Sequence, residues 1–114
     1  MGSFRRRRPE SLTGHAGDDQ VLASLANVGD LSNPRLWEHF LYCDDEAGAD
    51  VLEARAREAG WNVEQVDPQY HGIVASRSDR AVTPEAVTEA RGFFEGRVAA
   101  VAGGEYDGWG AEGD

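Results

Sequence analysis

Three histidines, one cysteine and 21 carboxylates are the residues most able to do chemistry in this 114-residue chain. Histidine and cysteine are the first candidates for a metal centre. His39 and Cys43 stand four positions apart in a segment that reads as a strand, where that spacing separates them by about 13 Å, too far to share an ion. His15 falls in a polar N-terminal stretch without periodicity. No metal site and no cofactor are therefore expected. The acidic run Asp44, Asp45, Glu46 and Asp50 lacks the spacing of a calcium loop, and Gly48 does not sit where such a loop needs its glycine. Helix capping alone explains acids at that place. Gly108-Trp109-Gly110 leads into no helix, carries no lysine and is bracketed by Asp107 and Glu112, which is unsuited to a phosphate. No G-x-S-x-G nucleophile elbow is present, and no carboxylate pair is marked by an apolar setting that would raise a pKa. The chain reads as a non-enzyme that acts by binding.

Charge narrows the class of partner. The formal net charge is −10, yet four of the eleven basic residues are Arg5, Arg6, Arg7 and Arg8. Glu10 is the one acid in the first ten residues, so residues 11–114 carry a net −13. Such a body repels phosphate backbones and is steered towards basic protein surfaces. Nucleic acid is not the expected partner of the folded body. The arginine run is read as a solvated tail, with contact to RNA or an acidic surface as its alternative. Pro9-Glu10-Ser11 follows it where a secretion signal would need an apolar stretch. A lone Cys43 makes no intrachain disulfide, and no window is apolar enough to span a membrane. The expected location is the cytoplasm.

Residues 1–17 are expected to be a disordered basic arm and 18–114 a single domain. Asp18 to Val28 reads as a helix, with Val21, Leu22, Leu25 and Val28 on one side. Arg35 to Cys43 reads as a strand with faces Trp37, His39, Leu41, Cys43 and Leu36, Glu38, Phe40, Tyr42. A helix from the Asp44-Asp45-Glu46 start to about Ala59 follows, then a strand from Trp61 to Val66. Asp67-Pro68-Gln69 makes a turn into a strand ending at Arg77, a hairpin partner of the one before. Thr83-Pro84-Glu85 opens a helix that carries Val87, Ala90, Phe94, Val98 and Val101 and ends at Gly103-Gly104. Glu105 to Trp109 is the last strand. The order is α, then β-α-β-β-α-β. That predicts an α+β fold, a ferredoxin-like βαββαβ sandwich with an extra N-terminal helix on a four-stranded antiparallel sheet. Its first and third strands would be central. The extra helix would cover the open sheet face or a sheet edge.

Trp37-Glu38-His39-Phe40-Leu41-Tyr42 and the terminal Tyr106-Asp107-Gly108-Trp109-Gly110 are the most distinctive segments. The Glu38-His39 strand, the terminal pentapeptide and the order of elements resemble the RraB family, the regulators of ribonuclease activity B. The resemblance covers about residues 18–112. It implies a ferredoxin-like domain without catalytic residues that binds an endoribonuclease of the ribonuclease E type, inhibits it and so alters messenger decay. The best-known members also carry a long acidic C-terminal tail, whereas this sequence has a basic N-terminal arm.

On that basis Glu38, His39, Tyr106, Asp107 and Trp109 are the expected protein-binding residues. Each has a plainer reading beside it. Tyr106, Asp107 and Trp109 can simply close the sheet, since large aromatics are mostly buried, or Trp109 can anchor a partner. Glu38 and His39 point to opposite faces, so at most one can meet a partner on a given face. Direct RNA binding through Phe40, Tyr42 and the basic arm is the alternative function. A small-molecule-binding domain or an enzyme is a weaker one.

Overall fold

Two side-chain caps fix where two of the helices begin. The computed structural model describes residues 16–28, 33–66 and 69–112. Asp45 is extended, and its carboxylate accepts from the Gly48 N–H at 2.8 Å, opening α2 (Glu46–Glu58). The Thr83 hydroxyl accepts from the Ala86 N–H at 3.1 Å, and Pro84 is the first residue of α3 (Pro84–Val98). The other elements are α1 (Ala16–Val28), β1 (Trp37–Cys43), β2 (Asn62–Gln65), β3 (His71–Arg77) and β4 (Glu105–Ala111). The described residues thus form three helices and one four-stranded antiparallel sheet of order β2-β3-β1-β4, an α+β fold. The first and third strands are central and β2 pairs with β3, as the sequence predicts.

Alternation along β1 sorts the sheet into two faces. Trp37, His39 and Leu41 are buried, whereas Glu38, Phe40 and Tyr42 are half-buried. Ile73 and Ala75 of β3 join the buried side, and α2 and α3 supply Leu52, Ala56, Val87, Ala90, Phe94 and Val98 to it. Each large apolar side chain enclosed there stabilises the fold by about 1.5–3 kcal/mol. The extra helix also lies on this side, against α3 and Trp109, and buries Leu22 in the same core. It lies towards the β4 end of the sheet, and among the described residues no helix packs on the opposite sheet face.

Several boundaries differ from expectation. α1 starts at Ala16, inside the stretch read as an arm; Arg5 to Arg8 and His15 lie outside the described residues, as do Asp67 and Pro68. α3 stops at Val98, short of Gly103-Gly104. There the Val101 N–H bonds to the Val98 carbonyl at 3.2 Å and Gly103 takes φ +65°, a turn that sends the chain into β4. β4 runs past Trp109 to Ala111, and the Glu112 N–H then reaches the Leu36 carbonyl at 3.0 Å. Among the described residues no helix is long and apolar enough to cross a membrane, and no three metal-binding side chains cluster.

Candidate functional site

The terminal aromatic segment is shaped by one extra residue. Tyr106 stands opposite Leu41 and Trp109 opposite His39, so Asp107 and Gly108 together face Phe40 alone. This is a β-bulge, and Gly108 adopts φ +103° within it. On a regular strand, residues 106 and 109 would project from opposite faces. The bulge turns both rings to the helical side. A Cβ at Gly108 would meet no atom within 4 Å, so the demand there is conformational and not steric. Gly108→Ala should cost about 1–2 kcal/mol in urea denaturation, the penalty of holding an L-residue at positive φ. An unchanged midpoint would contradict it.

Turned inward, the two rings complete an aromatic cluster. His39 is fully enclosed, its ring 4.7 Å from Trp37, 5.0 Å from Trp61, 4.6 Å from Phe94 and 5.8 Å from Tyr106 by centroids. Trp109 meets Trp37 edge-on at 6.2 Å. Such pairs add about 0.5–1.5 kcal/mol beyond the area they bury. His39 Nδ1 and the Tyr106 hydroxyl are 2.6 Å apart, one hydrogen bond whose direction follows the imidazole tautomer. His39 Nε2 and Trp37 Nε1 are buried with no hydrogen-bond partner.

A polar strut closes the cluster at its rim. Asp18 of α1 accepts from Arg91 of α3 twice, from Nε at 2.6 Å and from Nη2 at 2.7 Å. The same carboxylate accepts from Trp109 Nε1 at 2.7 Å. The fork geometry suits an arginine–carboxylate pair. Arg91 also lies over the Tyr106 ring, with Cζ 4.9 Å from its centroid, and reaches Glu95 at 2.9 Å. The pairing with Asp18 holds the guanidinium charged and raises its pKa further. Trp109→Phe keeps a ring and deletes the donor. It should lower stability by about 1.5–3 kcal/mol, the range for hydrogen bonds to charged groups. A thermal melt matching wild type would show that this hydrogen bond does not stabilise the fold.

The chemistry open to this cluster is limited. Burial lowers the His39 pKa to about 3, against the smaller upward pull of Asp18. Burial likewise pushes the Tyr106 hydroxyl well above its ordinary value. Both groups are neutral near pH 7, and His39 is far too weak a base for general acid–base work. A shallow cleft of about 340 Å³ lies over the strut, lined among others by Gly17, Asp18, Arg91, Tyr106 and Trp109.

The expected binding residues are therefore divided between different settings. His39 is 0% exposed, because β1 alternation aims it into the core. Tyr106 and Trp109 join it there, half-buried at the rim. Asp107 is exposed at the bulge, and Glu38 is half-buried on the opposite sheet face. Arg5 to Arg8 lie outside the described residues. Asp18 and Arg91 belong to no motif in the sequence. Arg91 follows Val87 by four residues and precedes Phe94 by three, a charge at the border of an apolar stripe, which is the one local sign of an inward role.

No curated protein and no solved structure matches this chain. The family model described as regulator of ribonuclease activity B matches residues 15–111, from the start of α1 to the last residue of β4. That span holds Asp18, His39, Arg91, Tyr106 and Trp109, and a match over most of the sequence shows that the chain belongs to the RraB family, whose members are regulators of ribonuclease activity and not enzymes.

Proposed function

We propose that this protein binds a ribonuclease of the ribonuclease E type and lowers its activity, without chemistry of its own and in the cytoplasm. The observation that carries the reading is the family match across residues 15–111. The electrostatics agree with it. His39 and Tyr106, the groups nearest to a catalytic pair, are both held neutral, and the sequence beyond residue 10 has a net charge of −13, suited to a basic protein surface. Affinity-tagged full-length chain, incubated with host lysate, should recover an RNA-decay nuclease. Purified chain added to that nuclease should slow cleavage of a model RNA. Repeated recovery of unrelated metabolic enzymes only, with unchanged cleavage, would overturn the proposal.

A further inference from the structure

All three helices pack on one side of the sheet, and the strand register defines what the other side presents. Residues opposite one another in an antiparallel pair share a face. Phe40 stands opposite Val74, Tyr42 opposite both Gly72 and Glu105, and Glu38 opposite both Ser76 and Gly110. On β2, Glu64 stands opposite Val74 and Asn62 opposite Ser76. The centre of this face is therefore apolar, made by Phe40, Tyr42 and Val74, all half-buried. Glu38, Glu64 and Glu105 surround it on three different strands. No arginine or histidine of the four strands shares this face: Arg77 and His71 are paired with Trp37 and Cys43, on the helical side. The relief is low. A Cβ at Gly72 would stand 3.0 Å from the Tyr42 ring, which lies across that glycine, and a Cβ at Gly110 would meet nothing within 4 Å.

We infer that this open sheet face, and not the Tyr106–Trp109 cluster, is the docking surface for the regulated protein, and that its occupant is a cationic protein segment bearing arginine and apolar side chains. The inference rests on the proposed function for the partner's role. The charge pattern selects the occupant. Apolar side chains cover Phe40, Tyr42 and Val74, while guanidinium groups reach the three carboxylates around them. A phosphate backbone would bring negative charge against those same carboxylates, so this face rejects RNA although it displays aromatic rings on a sheet. Complementary charge here raises the association rate and selects partners more than it adds raw affinity.

The test uses the full chain and a synthetic twelve-residue peptide of alternating arginine and leucine, followed by fluorescence anisotropy in low salt. Glu38→Lys and Glu64→Lys should each weaken binding by about tenfold, as for charge reversal at an interface. Glu85→Lys, on the exposed first turn of α3, makes the same change in net charge and should leave binding unaltered. Equal weakening by all three variants would mean a diffuse charge effect and would overturn the assignment. Chemical-shift changes on peptide addition should centre on Phe40, Tyr42 and Val74. Changes centred on Tyr106 and Trp109 would overturn it. So would tighter binding of a single-stranded RNA than of the peptide. Shifts at Phe40 and Tyr42 on replacing Arg5 to Arg8 by serine, with no peptide present, would identify the chain's own arm as the occupant and overturn the assignment to a partner. The nuclease assay separates this inference from the functional reading. Glu38→Lys that inhibits as wild type does would refute the surface and leave the regulator intact, whereas a wild type that never touches the nuclease would refute the regulator.

Discussion

Acidification should weaken the fold through His39 by up to about 5 kcal/mol, beginning well above the range in which carboxylates titrate. The imidazole has a pKa of about 3 in the folded protein against 6.5 when free, because burial disfavours its charged form. The unfolded chain therefore binds the proton first. Stability is intact above pH 6.5 and falls as the pH drops towards 3, by at most about 1.4 kcal/mol per pH unit for one proton. For a domain whose whole stability is about 5–15 kcal/mol, that is enough to unfold it. Urea denaturation at intervals from pH 7.5 to 5 measures the slope. His39→Gln removes the titrating group and leaves His15 and His71 in place, so the slope between pH 6.5 and 5 should fall by nearly one proton. Equal slopes in the two proteins would show that His39 is protonated in the fold.

Asp18→Ala should destabilise the protein by about 3–5 kcal/mol, the penalty for removing one partner of an enclosed ion pair. Only 3% of the Asp18 side chain and 16% of that of Arg91 are exposed. The substitution strands the guanidinium of Arg91 and the indole N–H of Trp109 together. Glu95 cannot compensate, since its own side chain is 53% exposed and its contact with Arg91 is largely screened. The double variant Asp18→Leu, Arg91→Met removes both charges and should recover much of the loss, because an apolar replacement of a buried pair is often neutral. Chemical denaturation of the three proteins decides it. A loss below about 0.5 kcal/mol for Asp18→Ala, the size of an ordinary surface substitution, would mean that α1 is not pinned by this contact.

The seven elements and their order were legible because each is signalled locally. Thr83-Pro84 announces a helix through backbone geometry alone, and the apolar period of Val87, Ala90, Phe94 and Val98 announces the face it buries. The burial of His39 could be read as far as its face, since alternation ties it to Trp37 and Leu41. That it is wholly enclosed depends on Phe94, Trp61 and Tyr106, brought from three other segments. The strut was not legible: Asp18 is 73 residues from Arg91 and 91 from Trp109, and its place in a helical first turn already has a sufficient local explanation. The bulge hid for a related reason. Gly108 and Gly110 read alike in sequence, yet only Gly108 takes a positive φ, and only the pairing with β1 reveals which one carries the extra residue.

That bulge also bears on how the protein avoids its own kind. Among the described residues the sheet ends at β2 and β4, and an unpaired edge is a template on which another chain can add a strand. β2 limits the hazard by length, being four residues long with Glu64 among them. β4 is seven residues long and would be the better template, but the doubled Asp107-Gly108 breaks its hydrogen-bonding rhythm midway and sets an exposed carboxylate at the break. A second strand laid along β4 would lose register after two or three residues. The device that aims Tyr106 and Trp109 into the core thus also guards the sheet against edge-to-edge growth.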